Sequence, residues 1–507
     1  MVYSKVTKKL TRNKRPTATT PGRTLTQGNG DAFDPDWYLT QYPDVASSGM
    51  LPVQHFTNYG RAEGRLPRAL QAVDLDPLLW SGSREAFDRL VTLMTSYSES
   101  PVDKLEASYA GWFLARWYAS MDEWHWALKA IEYCVGEPAL RPGIHTPDLL
   151  YVDALVANRK TKLAKDHIAQ ALGASNHPDW IFATANLRGA TVSSKLEIAS
   201  LLYEREGLAT IHVRPRAKKS SFDRLESLTD DVSPTGLTAC RNKERLPMIS
   251  VLMPVFNSEQ TIETALRSIL SQTWTNLEVL VVNDASSDAS ADLIKAWAKK
   301  DNRVKAFNLP SNQGAYAARN FALARSRGDF ITVHDSDDWS HPQKLELQAR
   351  ALMANKSLKA SVSHWIRATE DLTFGGWQYP PNWVSWCHRN TSSLMFRRSV
   401  FKALGFWDRV VCNADTEYYH RIMKAYGENS IVEVKQSIPL AFGRITSGSL
   451  TQSRTTSIFT NISGLRWNYY QAYLAWHGNA RTIKDLYMPE NPRSRPFPVE
   501  AGMLRSY

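Results

Sequence analysis

The chain has 507 residues, of which 43% are hydrophobic and 22% are charged, a composition typical of a globular protein with about two to four domains. Four cysteines without a CxxC pair argue against a disulfide-stapled secreted protein and against a cysteine zinc site, and they indicate a reducing compartment. The sequence has neither an apolar stretch near the roughly 18 residues of a spanning helix nor the apolar run of a secretory signal. We therefore expect a cytoplasmic location.

The net charge of +11 is concentrated at the amino terminus. Residues 1–30 carry seven basic side chains and no acidic one, whereas the rest of the chain has 54 basic and 50 acidic residues. Because this tail is also rich in Thr, Pro and Gly, the sequence predicts a disordered, solvated arm. Peripheral contact with the inner membrane is the alternative, since clustered cations near anionic lipid gain roughly 1 kcal/mol each. No nucleic-acid-binding signature follows, so nucleic acid is not expected as a partner.

Two regions are predicted before the first sheet. The sequence predicts a small accessory module over residues 31–70, which is interrupted by turn-forming residues. It predicts an all-α domain over residues 71–213. In the latter, Leu105, Tyr109 and Trp112 follow the i, i+4, i+7 spacing of an amphipathic helix. Successive helix pairs of this kind resemble tetratricopeptide-like (TPR-like) repeats, so we expect core packing for the aromatic residues and a surface for assembly proteins.

After a predicted linker over residues 214–247, strand and helix patterns alternate. Residues 248–256 and 277–282 are continuous apolar runs, as expected for strands covered on both faces. Further strands are predicted over 303–309 and 329–334, with helices over 259–270, 288–299 and 316–325. This alternation predicts a mostly parallel sheet, and such sheets bind ligands at the carboxyl ends of their strands.

Acidic and amide side chains follow the predicted strands. Asp335, Asp337 and Asp338 follow the fourth, where three carboxylates repel unless a hard cation such as Mg²⁺ or Mn²⁺ neutralises them. The alternative is a solvated acidic turn that caps the next helix. Asn283 and Asp284 follow the second strand and form either an Asx turn or an acceptor for a nucleobase imide.

Two further residues have both a functional and a structural interpretation. Arg319 is either a surface helix residue or a guanidinium near a base or diphosphate. Trp386 lies in a Trp-rich stretch that suits either a sugar acceptor groove or a packed subdomain. Neither GxGxxG nor GxxxxGK[ST] occurs, which removes support for a Rossmann dehydrogenase and for a P-loop enzyme.

Residues 248–345 resemble glycosyltransferase family 2, the inverting transferases with a GT-A fold. The resemblance is carried by SVLMPVFN, LEVLVVNDASSD, NQGAYAARN and GDFITVHDSDDW, and it continues in GFWDRVVCNADTEYYHRI at 405–422. It implies a Rossmann-like α/β catalytic domain over 248–450, followed by a helical extension over 451–507. The module at 31–70 resembles one that often accompanies bacterial surface-polysaccharide glycosyltransferases.

The resemblance also implies roles for individual residues. Asp415 falls on the catalytic base, although Ala414 stands where an acid is commoner, and an N-cap is the structural alternative for Asp415. Asp337 and Asp338 fall on the metal-binding positions. With the observations above, the candidate substrate contacts are Pro254, Phe256, Asn257, Asp284, Arg319, Asp335, Glu417 and Trp386.

Together these features predict an inverting glycosyltransferase dependent on Mn²⁺ or Mg²⁺. Its donor would be a nucleoside-diphosphate sugar, with UDP as the first choice, and its acceptor a hydroxyl of a glycan or glycolipid in surface-polysaccharide synthesis. One alternative is a sugar nucleotidyltransferase, which needs a Gly- and Lys-rich phosphate loop that PVFNSEQ does not supply. The other is a non-catalytic scaffold with a degenerate transferase domain. The aromatic helix within 456–486 is expected to dock on the core, with a membrane surface or an oligomer interface as alternatives.

Overall fold

The computed structural model describes residues 32–96, 100–136, 144–188, 191–214, 220–227, 246–375, 385–445 and 464–504. The chain divides into two compact units, one of residues 1–176 and 376–386, the other of residues 177–375 and 387–507. The last two helices of the predicted all-α domain therefore belong to the second unit. The predictions for the basic tail and for residues 446–463 lie outside the described residues.

The first unit is helical throughout its described elements. Its α-helices are α1 (Pro35–Gln41), α2 (Pro43–Ser48), α3 (Pro52–His55), α4 (Gln71–Trp80), α5 (Arg84–Thr95), α6 (Pro101–Ser120), α7 (Trp124–Val135), α8 (Thr146–Ala157) and α9 (Thr161–Ala174). Proline opens α1, α2, α3 and α6, because its fixed φ suits the first helical position and it needs no backbone donor there.

The predicted accessory module has a small aromatic core of its own. Tyr38, Val45 and Phe56 are buried together, and the Tyr38 hydroxyl lies 3.1 Å from His55 Nδ1. A Cβ at Gly60 would lie 2.1 Å from the Tyr38 hydroxyl oxygen, so the close approach at this position requires glycine. Farther along, Tyr109 and Trp112 of α6 are buried, which confirms the prediction of core packing for these side chains.

The second unit is built around a mixed sheet. Its strands are β3 (Ile249–Val255), β4 (Leu277–Asn283), β5 (Val304–Asn308), β6 (Phe330–Val333), β7 (Trp339–Ser340), β8 (Ala360–Ala368), β9 (Phe374–Gly375), β10 (His388–Arg397), β11 (Ile431–Glu433) and β12 (Pro439–Arg444), with β1 (Ile211–Val213) and β2 (Leu225–Ser227) forming a separate pair. Its helices are α10 (Pro178–Arg188), α11 (Val192–Arg205), α12 (Ile262–Leu270), α13 (Ser290–Lys300), α14 (Ala315–Arg325), α15 (Lys344–Ala354), α16 (Arg398–Leu404), α17 (Ala414–Tyr426) and α18 (Leu465–Asn479).

The main path of the sheet runs β5-β4-β3-β6-β10-β8-β12-β7. Strands β5, β4, β3 and β6 are parallel, as predicted, but β10 is antiparallel to both β6 and β8. The second half is mixed, because β8 pairs in parallel with β11 and β12 but antiparallel with β9 and β10. The prediction of a mostly parallel sheet is therefore fully correct only for the first half. An antiparallel pair needs no helical crossover between its strands, so strand–helix alternation cannot reveal it.

Strand β3 shows why the parallel half of the sheet could be predicted from the sequence. Val251 and Met253 pack into one buried cluster with Leu266 of α12, whereas Leu252 packs into a second cluster with Trp407. A strand covered on both faces is apolar at nearly every position, and β3 follows this pattern with Ser250 as its polar exception.

The carboxyl-terminal helix docks on this second cluster. Tyr469, Tyr473 and Trp476 of α18 are buried with Trp407 and Tyr418. This confirms docking on the core as the role of these aromatic residues. None of the helices in the described ranges is both long and apolar enough to cross a membrane.

The region predicted as a linker contains ordered structure in its described part. Phe222 is fully buried in a single 3₁₀ turn, and β2 pairs with β1. The prediction is therefore corrected for residues 220–227. Polar residues and breakers suggested a connection, but they give no information on long-range ion pairs such as the one between Asp223 and Arg444.

Candidate active site

The loops that follow β3, β4 and β6 meet at one edge of the sheet. Because these strands are parallel neighbours, their carboxyl ends lie side by side. Asn257 Oδ1 accepts a hydrogen bond from the Ser287 backbone N–H at 2.9 Å, which joins the first two loops. The Ser258 and Ser336 hydroxyls lie 2.8 Å apart and join the first loop to the third. The structure thus brings together the polar segments selected from the sequence.

The end of β3 presents an aromatic side chain. Pro254 is buried within the strand, whereas Phe256, just after it, is 48% exposed. Asn257 follows with φ at +47°, the left-handed region that Asn tolerates better than most residues. An exposed ring beside these polar loops offers an apolar face on which a planar base can stack.

Asp284 is buried and holds the loop that directly precedes α14. Its carboxylate oxygens accept backbone hydrogen bonds from Gln313 and Gly314, each at 2.7 Å. Each oxygen can accept a second hydrogen bond, so the carboxylate retains capacity for a ligand. Asn283 Oδ1 accepts from the Ser286 N–H at 3.1 Å, so its side chain holds the loop after β4 through a bond to the third residue on, not to the second as in an Asx turn.

Helix α14 links the acidic segment to Asp415. Buried Arg319 donates to Asp335 Oδ1 at 2.6 Å, and its guanidinium carbon lies 4.9 Å from the centroid of the Tyr316 ring. The Tyr316 hydroxyl in turn donates to Asp415 Oδ1 at 3.0 Å. Sequence reasoning found Arg319 but missed Tyr316. The available signal was their i, i+3 spacing, which places both side chains on one helix face.

The acidic segment after β6 crowds three carboxylates together. Burial raises the pKa of Asp335, but the ion pair with Arg319 more than offsets this effect and lowers the pKa below its usual value. Burial and the charge of Asp335 raise the pKa of Asp337. Burial, Asp337 and Asp335 together raise the pKa of Asp338 well above its usual value. A bound cation would relieve this repulsion.

The donor set fits a hard divalent cation. Asp337 and Asp338 offer carboxylate oxygens, the ligands that Mg²⁺ and Mn²⁺ prefer. Asp338 Oδ1 accepts from the Arg444 backbone N–H at 3.0 Å, and Arg444 Nε donates to the Asp337 carbonyl at 3.1 Å. These contacts fix the turn that carries both carboxylates. Arg444 is a residue that the sequence did not indicate.

Asp415 is the second residue of α17 and is partly exposed. Its Oδ1 also accepts from the Thr416 N–H at 2.9 Å, and its Oδ2 accepts from the Ser392 hydroxyl at 3.2 Å. The N-cap position of α17 belongs to Asn413, so the structural alternative of an N-cap at Asp415 is wrong. Hydrogen-bond donors on both oxygens orient the carboxylate.

Glu417 is fully buried, away from any ligand-accessible surface. Its carboxylate accepts from Arg421 at 2.8 Å and lies 2.9 Å from His477 Nε2. Burial raises the pKa of Glu417, but Arg421 and His477 more than offset this effect and lower the pKa. Trp386 is also fully buried and belongs to the first compact unit, whereas the other candidates lie in the second. We therefore leave both residues out of the proposed substrate contacts.

Replacing Glu417 with glutamine should destabilise the protein without weakening ligand binding. The change leaves the Arg421 guanidinium buried without its counter-charge, which costs roughly 3 kcal/mol. Urea denaturation followed by tryptophan fluorescence measures this loss, and calorimetry measures UDP affinity below the transition. Unchanged stability together with weaker UDP binding would instead place Glu417 in the substrate site.

Comparisons with known proteins agree with this geometry. The family described as Glycosyl transferase family 2 matches residues 250–406. A protein of Haemophilus influenzae described as an uncharacterized glycosyltransferase is 42% identical over 110 residues, which cover 22% of this chain and 44% of that protein. A Bacillus subtilis protein named "Putative teichuronic acid biosynthesis glycosyltransferase TuaG" is 34% identical over 140 residues, covering 25% of this chain and 56% of that protein. The chain thus spans about half the length of these two relatives.

One solved structure also aligns with part of this chain. S. aureus TarS 1–349 in complex with UDP-GlcNAc has a TM-score of 0.33 at 22% identity, and the alignment covers 40% of this chain and 60% of that chain. The assignment rests on the sequence match and on the loops at the sheet edge. Residues 250–406 belong to glycosyl transferase family 2.

Proposed function

We propose that this protein is an inverting glycosyltransferase. It moves a sugar from a nucleoside diphosphate, with UDP as the first choice, to a hydroxyl of a glycan or glycolipid. The observation that carries the proposal is the connection between two acidic groups in a family 2 domain, since Arg319 and Tyr316 join the segment of Asp335 to Asp415. The similarity to TuaG supports a role in surface-polysaccharide synthesis.

The proposed donor site uses the loops after β3 and β4. Phe256 supplies an exposed face for the base, Asn257 fixes the loop, and Asp284 offers acceptor capacity to the base. We assign Asp335 and Arg319 to the part of the donor site that holds the diphosphate. Asp337 and Asp338 would hold Mn²⁺ or Mg²⁺. When bound, the cation neutralises charge on the departing nucleoside diphosphate.

Asp415 is the proposed general base. Its carboxylate removes the proton from the acceptor hydroxyl as that oxygen attacks the anomeric carbon, and the bond to the diphosphate breaks on the opposite face. This single displacement inverts the anomeric configuration. Tyr316 and Ser392 hold the carboxylate while it receives the proton.

The proposed location is the cytoplasm, where nucleotide sugars are made. The seven cations in residues 1–30 offer a means of contact with the anionic inner membrane, where a glycolipid acceptor resides. We also propose that the first unit provides a surface for acceptor or assembly proteins.

A donor panel tests the proposed activity. The protein is incubated with UDP-, GDP- and TDP-sugars in the presence of Mn²⁺, and released nucleoside diphosphate is measured. We expect release from at least one donor, through slow transfer to water, with a faster rate when a cell-envelope glycolipid extract is added. Intact donors throughout the panel would support the scaffold alternative. A parallel reaction that supplies a nucleoside triphosphate and a sugar 1-phosphate tests the nucleotidyltransferase, which would release pyrophosphate from that pair.

Replacing Tyr316 with phenylalanine should slow the reaction. The variant keeps the ring beside Arg319 but removes the donor to Asp415 Oδ1. Without that hydrogen bond, the carboxylate of Asp415 is held less firmly in the orientation that receives the proton. We expect kcat to fall about tenfold, which corresponds to a loss of ~1.5 kcal/mol. Steady-state rates of nucleoside-diphosphate release measure this change, and an unchanged kcat would show that Tyr316 does not act on Asp415.

A further inference from the structure

Arg444 connects the turn of residues 335–338, here called the acidic turn, to residues 220–227, which are far away in the sequence. It lies at the end of β12, is almost fully buried, and binds the turn through its backbone N–H and its Nε. The rest of its guanidinium forms an ion pair with Asp223 and lies 4.2 Å from the centroid of the Phe222 ring. Phe222, Asp223 and Arg444 all lie outside the segment that the family match covers.

Asp223 is itself held from several sides. Thr264 Oγ1 donates to its Oδ1 at 2.8 Å, and Ser220 Oγ donates to its Oδ2 at 2.6 Å. Its backbone carbonyl accepts from Arg267 at 3.0 Å. Burial raises the pKa of Asp223, but the hydrogen bonds from Arg444 and Ser220 more than offset this effect and lower it. The carboxylate is therefore ionised and fixed in place.

The position of Arg444 creates an electrostatic problem at the acidic turn. A guanidinium pairs with carboxylates in a bidentate geometry, so it competes with a metal ion for carboxylate oxygens. Arg444 already lowers the pKa of Asp337 through its charge, although burial and Asp335 dominate that pKa. A neutralising partner that holds the guanidinium elsewhere would leave both carboxylates of the turn available.

We propose that Asp223 is a positioning residue that holds the Arg444 guanidinium away from the carboxylates of Asp337 and Asp338, so that these carboxylates bind the divalent cation of a nucleoside-diphosphate complex. The inference rests on the proposed function of Asp337 and Asp338. It gives a role in the active site to residues 220–227, which lie in the segment that the sequence predicted to be a linker. Partners of this kind behind metal ligands typically change metal affinity by about 10–100-fold.

The test measures Mn²⁺ affinity directly. Electron paramagnetic resonance follows free Mn²⁺ during titration of the full chain in the presence of UDP, for the wild type and Asp223→Asn. We expect Asp223→Asn to bind Mn²⁺ at least about tenfold more weakly. Asp301→Asn is the matched control, because it removes one carboxylate from another aspartate–arginine pair, that of Asp301 and Arg303, and it should bind Mn²⁺ like the wild type.

A double variant separates positioning from simple loss of structure. In Asp223→Asn/Arg444→Met the competing guanidinium is gone, and the backbone N–H of residue 444 can still hold Asp338 Oδ1. Mn²⁺ affinity should therefore recover in part relative to Asp223→Asn alone, the remaining loss reflecting the missing Nε hydrogen bond to the Asp337 carbonyl. Equal affinity of the wild type and Asp223→Asn, or a double variant no better than the single one, overturns the inference. If the wild type itself binds no Mn²⁺ with UDP, the proposed metal-dependent function fails first and this inference fails with it. Thermal unfolding of each variant identifies any that do not fold, and Thr264→Val then perturbs Asp223 without changing charge, with a smaller loss of Mn²⁺ affinity expected.

Discussion

Replacing Asp415 with asparagine should reduce kcat by about 10³-fold while leaving UDP affinity nearly unchanged. Asparagine keeps the size of the side chain and can still accept a hydrogen bond from Tyr316, but it cannot take a proton from the acceptor. The loss should therefore appear in the chemical step. Steady-state rates of nucleoside-diphosphate release, with the donor identified by the panel, measure the change in kcat.

The Asp415 variant has a natural control on the same part of the chain. Glu428 is exposed just beyond the carboxyl end of α17, so Glu428→Gln removes a carboxylate without touching the site. We expect this control to have wild-type activity. Wild-type kcat in Asp415→Asn would exclude Asp415 as the general base, whatever the behaviour of Glu428→Gln.

Replacing Asp337 with asparagine should remove metal-dependent nucleotide binding. The cation contributes several kcal/mol of charge stabilisation to a diphosphate, and a loss of ~3 kcal/mol corresponds to roughly 100-fold in affinity. Isothermal titration of UDP in the presence of Mn²⁺ should therefore show at least this weakening. The electrostatic reason is the crowding of carboxylates in this turn, where burial and the charge of Asp335 raise the pKa of Asp337 and a cation would relieve the repulsion.

Chelation provides an independent check on the Asp337 variant. EDTA should weaken UDP binding by the wild type to the level of Asp337→Asn, and it should have no further effect on the variant. UDP binding by the wild type that is insensitive to EDTA would contradict a metal role for Asp337 and Asp338. Asp301→Asn, which removes a carboxylate outside the proposed site, should keep the metal dependence.

The parts of the fold that the sequence predicted have strong local patterns. Strands β3 and β4 match the predicted apolar runs to within about one residue at each end, because strands covered on both faces are apolar at nearly every position. The parallel pairing of β3 with β4 and with β6 then places Asp284 and Asp335 at the same edge, which follows from topology alone. The predicted docking of α18 also follows from composition, since Tyr469 and Tyr473 bury large apolar surfaces.

The parts that the sequence did not predict depend on contacts between distant residues. Glu417 stands two residues from Asp415 in the chain, but on a helix this spacing turns its side chain toward a different face, where Arg421 and His477 bind it. Tyr316 acts on Asp415 across 99 residues, and Asp223 pairs with Arg444 across 221. Hydrophobic patterns with a period of 3.6 residues for helices or 2 residues for strands carry no information on such distant pairs.

The anomeric configuration of the first product tests the central claim most directly. ¹H NMR of the reaction with the identified donor, recorded before the released sugar equilibrates between its anomers, reports the configuration at the transferred carbon. The proposed single displacement, with Asp415 as the base, predicts a configuration opposite to that of the donor sugar. A product with the configuration of the donor would contradict inversion and, with it, the role assigned to Asp415.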